Sequence, residues 1–180
     1  MTLAARLNAG ELLGSRVLKV NHAGEHGAIN IYGGQIFIAK FFARDLLGEL
    51  KEFQSHERKH RAIFEAELNK RNVHRCRSYH FCGLGGFSLG LITAIFGRQA
   101  IAATTVAVES VVLKHLQQQI RVLDLQDRAA VIAIKQIIGD EQEHHDRSAS
   151  YLKGGRFWPK LLTPIVAVST NSVIWLGMHL

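Results

Sequence analysis

The chain has 180 residues, of which 47% are hydrophobic and 21% are charged. This composition excludes an intrinsically disordered protein and predicts one folded domain, residues 1–180, with a substantial core. The net charge of +7 favours an anionic partner such as a lipid surface. We expect no nucleic-acid partner, because the chain has no stripe of Lys and Arg interleaved with aromatic residues.

The N-terminal third of the chain predicts a helix that carries a buried glutamate. Residues 1–20 have the spacing of a short amphipathic helix, and Asn21 is the expected N-cap of the next one. Glu25 then stands at the head of an apolar stripe that includes Ile29, Tyr32 and Ile36. A glutamate in that position is expected to point inward.

Equal intervals between glutamates predict two helical hairpins. Glu25 and Glu57 are 32 residues apart, and so are Glu109 and Glu141. Residues that face each other in a hairpin are equidistant from its turn, so the turns are predicted near residues 41 and 125. Asp45 and Asp124 or Asp127 are the expected caps of the helices that follow, and Gly48 is expected inside the second helix.

The segment between the two hairpins changes from basic to apolar. Residues 70–80 are rich in Lys, Arg and His, whereas residues 81–97 contain no charge. We predict an apolar helix that is partly exposed at one end of the bundle, in a protein that lies on a bilayer. Its side chains are candidates for an apolar route to the interior: Phe87, Leu91, Ile95 and Phe96. The last segment predicts a short helix from about Pro164 that packs on the bundle or enters the membrane interface.

Four glutamates and two histidines form the candidate metal site. Positions i and i+3 share one face of a helix, so each Glu-x-x-His presents two ligands to one point. A single Glu-x-x-His is weak evidence, but one Glu from each of two helices plus two such motifs is the ligand set of a di-iron bundle. We predict that Glu57 and Glu141 bridge the two ions. The predicted ligands are Glu25, Glu57 and His60 for one ion, and Glu109, Glu141 and His144 for the other.

The chemistry of this set favours iron. It has carboxylates and imidazoles but no thiolate, which suits iron or manganese rather than structural zinc. Glu109 interrupts an otherwise uncharged run, where an unpaired carboxylate would be costly to bury. A metal ion would offset that cost.

Several neighbouring residues have weaker roles in the prediction. Outer carboxylates commonly orient metal-binding histidines, but the sequence does not choose among the candidates near His144. His22 and His26 are expected to support the site rather than to bind metal, and Tyr32 to be core. His115 is a candidate hydrogen-bonding group near the site. The candidates near His144 are Asp140, Glu143, His145 and Asp146.

The motifs that carry these residues resemble the demethoxyubiquinone hydroxylase family. They are HAGEHGAINIYGGQ (residues 22–35), Glu57-x-x-His60, VAVES (residues 106–110) and DEQEHHD (residues 140–146), in the family's order. The resemblance implies an all-α, ferritin-like four-helix bundle made of two helix pairs, with additional short N- and C-terminal amphipathic or membrane-surface helices. Many relatives have an acidic residue at the position of Ser110, and some have a tyrosine at that of Leu116.

The resemblance also implies an activity. It would be a membrane-associated di-iron monooxygenase with two iron ions and dioxygen as co-substrate, hydroxylating the ring of a polyprenyl methoxy-methyl-benzoquinol. The implied partners are the quinol, the membrane surface, an electron donor that is nicotinamide-derived, a lipid-binding protein and a second copy of the chain. We expect a peripheral protein on the cytoplasmic face of a bacterial inner membrane. This agrees with two cysteines that lack a Cys-x-x-Cys pattern and an N-terminus without a secretory signal.

Two other functions stay open from the residues alone. A ferritin-like ferroxidase or peroxidase would use the same metal ligands, but the 81–108 region, which is uncharged except for Arg98, speaks against it. A non-catalytic bundle that binds quinone or lipid would use the acidic cluster only as structure.

Overall fold

The computed structural model describes residues 3–153, 155 and 157–180, and this part of the chain forms six α-helices. Residues 1, 2, 154 and 156 of the predicted domain, and so the start of its predicted N-terminal helix, lie outside the described residues. The helices are α1 (Leu13–Phe42), α2 (Leu47–Lys70), α3 (Tyr79–Ile95), α4 (Arg98–Leu123), α5 (Arg128–Ser150) and α6 (Phe157–His179).

Four of the helices form a ferritin-like bundle of two hairpins. α1 packs on α2, α4 packs on α5, and the pairs meet where α2 contacts α5. α3 packs on α1, and α6 packs on α4 and also contacts α1. The two additional helices therefore flank the same side of the bundle, on α1 and α4. The predicted position of α3 at one end of the bundle is wrong, because α3 lies along the middle of α1. The predicted all-α fold with two helix pairs is confirmed.

Both hairpin turns lie within a few residues of the positions predicted from the glutamate intervals, the first of them slightly later, after Phe42. A short 3₁₀ turn, Arg44–Leu46, joins α1 to α2, and Gly48 lies inside α2 as predicted. Asp127 caps α5 by accepting a hydrogen bond from the backbone N–H of Ala130 at 3.1 Å. The predicted cap at Asp45 is wrong, because its carboxylate pairs with Arg98 instead.

The two ends of the chain differ from the prediction. α1 begins at Leu13 and continues without a break, so the predicted N-terminal helix is in part the start of α1. Asn21 is not a cap, because its side chain is buried in mid-helix and pairs with Gln119. α6 begins at Phe157, seven residues before Pro164. Pro164 has no backbone N–H, so the carbonyl of Lys160 has no hydrogen-bond donor within the helix. Both residues are exposed, so the helix tolerates the proline.

α1 and α3 approach each other through glycines. A Cβ atom on Gly86 would lie 2.3 Å from the carbonyl oxygen of Gly27, and one on Gly90 would lie 2.1 Å from that of Ile31. Only glycine allows the two backbones to come this close. The uncharged α3 is thereby held flat against α1, next to the glutamate that α1 carries.

The polar centre of the bundle lies between two apolar clusters. One contains Val17, Leu18, Phe64 and Ile134, and the other contains Tyr32, Leu50 and Phe53. Each bundle helix contributes to at least one cluster and carries its predicted ligands in its middle. The carboxylates are therefore closed off from water at both ends of the bundle.

Candidate metal centre

The structure brings all six predicted ligands together in the bundle interior. Each is buried, and Glu57 and His144 are only 1% and 0% exposed. They form two overlapping groups of four, and in each group the potential ligand atoms lie within 4.8 Å of one another. The first group is Glu25, Glu57, His60 and Glu141; the second is Glu57, Glu109, Glu141 and His144. Both groups contain Glu57 and Glu141, the two residues that the sequence interpretation makes bridging.

The two histidines present the same ring atom to the carboxylates. His60 Nδ1 lies 3.0 Å from Glu141 Oε1 and 3.8 Å from Glu25 Oε2. His144 Nδ1 lies 3.1 Å from Glu57 Oε1 and 3.7 Å from Glu141 Oε2. Among the described residues, these Nδ1 atoms and one oxygen each of Glu57 and Glu141 have no partner with hydrogen-bond geometry. Buried polar atoms without partners destabilise a fold. A cation bound between these nitrogen and oxygen atoms would give them a partner, so their arrangement fits a metal site.

The opposite ring atoms of the histidines have outer partners. His60 Nε2 lies 3.0 Å from Asp140 Oδ2, and His144 Nε2 lies 3.1 Å from His56 Nδ1. A partner at Nε2 fixes the orientation of the ring and leaves Nδ1 directed at the centre. Of the candidates near His144, only Asp140 has this role. Glu143 instead bonds Arg147, and Asp146 bonds Gln142 and His145.

The electrostatics of the centre reflect its crowded carboxylates. Burial, and then repulsion from Glu57 and Glu141, raises the pKa of Glu25 well above its usual value. Glu109 has its pKa raised for the same reasons. Burial alone would raise the pKa of Glu57, but His144 and His60 outweigh that effect and lower it.

The two histidines respond in the opposite way to burial. Burial lowers their pKa, but the carboxylates of Glu141 and Glu57 outweigh it and raise the pKa of His60 to about 10 and that of His144 to about 9. Without a cation, protonation of His60 and His144 is therefore favoured at the same atoms that would bind a cation.

A cavity of about 360 Å³ leads from the carboxylates toward the outside. Its lining contains the four glutamates of the centre and mostly apolar residues of α1, α3, α4 and α6. Phe81, Gly85 and Val173 line it and are also exposed, so the cavity reaches the surface between α3 and α6. A small apolar molecule could lie against the carboxylates without passing through water.

The predicted apolar route along α3 is on the wrong face of that helix. The cavity is lined by Phe81, Cys82, Gly85, Gly86 and Leu89. The predicted residues Phe87, Leu91, Ile95 and Phe96 do not line it. The reason is that α3 turns its glycine face to α1, and the side chains next to that face form the cavity wall.

The residues with weaker roles in the prediction have different surroundings. Tyr32 is buried, packs against Phe53 and His144, and places its hydroxyl in the interior. His22 and His26 stack on Tyr79 and lie in neither of the two ligand groups. His115 lines the cavity and bonds Asn171 of α6 at 2.8 Å.

Three features escaped the sequence interpretation. His56 is not among the residues predicted from the sequence, although it bonds His144. Asn21 appears as a cap, although it lies one turn before Glu25 on the same face and could have been found by that spacing. The α6 residues of the cavity, such as Thr170 and Ile174, carry no signal in the sequence because only tertiary packing brings them there.

Comparison with known proteins identifies the family. The profile of the family described as "Ubiquinone biosynthesis protein COQ7" matches residues 13–177. A Dictyostelium discoideum protein named NADPH-dependent 3-demethoxyubiquinone 3-hydroxylase, mitochondrial, is 33% identical over 172 residues, covering 90% of this chain and 75% of the relative. The Mus musculus protein of the same name is 33% identical over 136 residues, which cover 73% of this chain and 61% of the relative.

A bacterial relative agrees with these. The 3-demethoxyubiquinol 3-hydroxylase of Rhodospirillum rubrum is 29% identical over 164 residues, covering 90% of this chain and 76% of the relative. The family profile spans nearly all six helices, including every residue of the buried centre. The chain therefore belongs to the COQ7 family of ubiquinone biosynthesis proteins.

Proposed function

We propose that the chain is a di-iron monooxygenase that hydroxylates the ring of a polyprenyl methoxy-methyl-benzoquinol, converting demethoxyubiquinol to demethylubiquinol. The observation that carries this proposal is the position of the cavity. It has the four carboxylates of the candidate centre at one end and an opening between two apolar helices at the other. The names of the relatives supply the reaction, since each is named for hydroxylating a demethoxyubiquinone or demethoxyubiquinol.

The six buried residues are the proposed ligands. Glu25, His60, Glu57 and Glu141 would hold one ion, and Glu109 and His144, together with the shared Glu57 and Glu141, would hold the other. When bound, a pair of iron ions would supply the activation of dioxygen. Asp140 and His56 hold the two imidazole rings so that Nδ1 faces the site, and the two apolar clusters exclude water from it.

The cavity fits the head of the proposed substrate and not its tail. A volume of about 360 Å³ holds a substituted ring. A long prenyl chain must then leave through the opening between α3 and α6. Overall, one dioxygen inserts an oxygen atom into a ring C–H bond, while two electrons and two protons reduce the other atom to water. We propose a nicotinamide-derived donor for the electrons, because two of the relatives above are named NADPH-dependent.

The outer surface supports a peripheral membrane location. Exposed apolar side chains on α3 and α6 include Phe81, Leu84, Ile165 and Trp175. The sequence has no Asp or Glu between Leu68 and Val108 or after Asp146, so only cations flank these helices. We propose that this surface lies on an anionic bilayer, such as the cytoplasmic face of a bacterial inner membrane.

α6 has the length and composition of a membrane span. Its contacts favour a position along the bundle instead, because Val166 packs with Ala107 and Val108, and Met178 packs in the core with Val17. A span would have to break these contacts. Binding of the chain to vesicles that contain phosphatidylglycerol, and its release by alkaline carbonate, would support the peripheral arrangement; retention after carbonate treatment would contradict it.

The apolar cavity also distinguishes the proposal from a ferroxidase. Hydrated iron as a substrate needs a polar route, whereas this cavity is lined mostly by apolar side chains. A ferroxidase would oxidise iron without quinol, and a non-catalytic lipid-binding bundle would not depend on its carboxylates.

Complementation in a strain that lacks its own hydroxylase tests the proposal. We expect the strain to accumulate demethoxyubiquinone, and this chain to relieve the accumulation. Glu57→Ala is expected to fail although it folds, whereas Glu65→Ala, an exposed glutamate of the same helix, should succeed. Full rescue by Glu57→Ala would show that the buried centre is not needed for the reaction.

A further inference from the structure

The cavity contains a polar feature that the metal centre does not use. Asn21 of α1 and Gln119 of α4 bond each other twice across the cavity wall. Asn21 Nδ2 donates to Gln119 Oε1 at 2.8 Å, and Gln119 Nε2 donates to Asn21 Oδ1 at 3.0 Å. Both residues line the cavity, and they are 9% and 3% exposed. We refer to them as the amide pair.

The pairing leaves hydrogen-bonding capacity on both side chains. A primary amide has two N–H donors and an oxygen with two lone pairs. The mutual bonds use one donor and one lone pair of each, and the described residues offer these side chains no other hydrogen bond. The neighbouring residues Val20, Leu116 and Ile174 are apolar. Since unsatisfied polar groups are costly in such surroundings, the free donors and acceptors suit a polar ligand group.

The distance to the candidate metal centre suits a ring. Asn21 lies four residues before Glu25 on the same face of α1, a rise of about 6 Å along the helix. That is about the width of a substituted benzene ring. A ring that places one carbon near the carboxylates therefore has an oxygen substituent within reach of the amide pair.

The amide pair offers hydrogen-bond donors and acceptors together, and this determines whether it binds a hydroxyl or a carbonyl oxygen more tightly. A quinol hydroxyl can accept from one amide N–H and donate to an amide oxygen. A quinone carbonyl can only accept. Resting on the function proposed above, we propose that the amide pair binds a ring oxygen of the substrate and selects the reduced quinol over the quinone. The relatives' names leave this open, because they mention both the ubiquinone and the ubiquinol form.

The test compares two probes that differ only in oxidation state. Calorimetry would measure binding of a decyl-tailed methoxy-methyl-benzoquinol and of its quinone to the full chain, anaerobically and loaded with redox-inert Zn²⁺. We expect the wild type to bind the quinol about tenfold more tightly, the effect of one additional hydrogen bond. Farnesane, a hydrocarbon tail with neither a ring nor a hydroxyl, serves as the control ligand.

Two variants assign the preference to the amide pair. Asn21→Leu combined with Gln119→Leu removes both partners, so neither is left unsatisfied. It should bind quinol and quinone equally while binding farnesane as before. Gln119→Glu has nearly the same shape but, as a carboxylate, no donor, so it remains informative if the leucine pair fails to fold. We expect it to weaken quinone binding more than quinol binding.

The outcomes separate this proposal from the function on which it rests. Equal binding of the two probes by the wild type, or an unchanged quinol preference in the leucine pair or in Gln119→Glu, overturns the role of the amide pair. Failure of the wild-type chain to complement the deletion strain overturns the hydroxylase function instead.

Discussion

His56 and His144 bond each other through their rings, with His56 Nδ1 3.1 Å from His144 Nε2. The other histidine of the centre, His60, has a carboxylate partner, Asp140, at 3.0 Å. The two proposed ions therefore have unequal surroundings. A carboxylate partner makes an imidazole a stronger electron donor than a second imidazole does.

Asp140 is expected to strengthen metal binding at the His60 side. Loss of such an outer partner typically lowers metal affinity by about 10–100-fold. Asp140→Ala should therefore weaken one of two binding events in a calorimetric Fe²⁺ titration and leave the other nearly unchanged. Asp146→Ala is the control, since that carboxylate bonds Gln142 and His145 at the surface. Equal weakening by both variants would argue against a specific role for Asp140.

Glu109 should contribute to metal binding at the expense of the stability of the metal-free fold. Burial and the carboxylates of Glu141 and Glu57 raise its pKa, so its ionised form is disfavoured in the metal-free structure. Glu109→Gln keeps the shape and removes the charge. We expect urea unfolding of the metal-free variant to show a free energy equal to the wild type or about 1 kcal/mol higher. The same variant should bind one Fe²⁺ instead of two, and retention of two ions would contradict the proposed ligand set.

The centre should make metal-free stability fall as pH rises. His60 and His144 have pKa values of about 10 and about 9, against 6.5 for an ordinary histidine. A group whose pKa is higher in the folded than in the unfolded state stabilises the folded state fully at a pH below its unfolded-state pKa. That stabilisation is lost as the pH rises through its folded-state pKa. The raised pKa values of Glu25 and Glu109 act in the same direction above about pH 4.5.

A cation must displace these protons, so its apparent affinity should rise with pH. We expect the melting temperature of the metal-free chain to fall between pH 6.5 and pH 9, and the increase on adding Fe²⁺ anaerobically to grow over that interval. Glu109→Gln should flatten the decline, because it removes one proton-binding group. A metal-free melting temperature that rises over the interval would contradict the protonation pattern.

Much of the centre was predictable because helical spacing is a local property. Glu57 and His60 share a face whatever else the chain does, and the equal glutamate intervals fix both turns. The position of Asn21 was not predictable in the same way. Its capping preference is also local, but the helix continues through it because Gln119, 98 residues away, satisfies its side chain. The cavity wall depends on which face of α3 meets α1, and glycine contacts between distant segments decide that.

The close approach of α3 to α1 should be sensitive to one methyl group. A Cβ on Gly90 would meet the carbonyl oxygen of Ile31 at 2.1 Å, which forces the backbones apart. We expect Gly90→Ala to lower the free energy of unfolding by about 1–3 kcal/mol. Gly85→Ala, in the same helix with open space around it, should instead raise it by roughly 0.5–1 kcal/mol. Urea denaturation followed by circular dichroism distinguishes these cases, and similar effects of both changes would argue against the tight contact.

Filling the cavity should separate catalysis from metal binding. Ala28 lies three residues after Glu25 and lines the cavity, so a phenyl group at this position would occupy the space proposed for the ring. We expect Ala28→Phe to retain two Fe²⁺ ions and to lose at least about 100-fold in kcat/KM for a quinol analogue, about 2.7 kcal/mol of transition-state stabilisation. Ala66→Phe, on an exposed face of α2, is the matched control and should be nearly unaffected. Since the ligands would remain intact, normal turnover by Ala28→Phe would mean that the substrate reaches the carboxylates by another path.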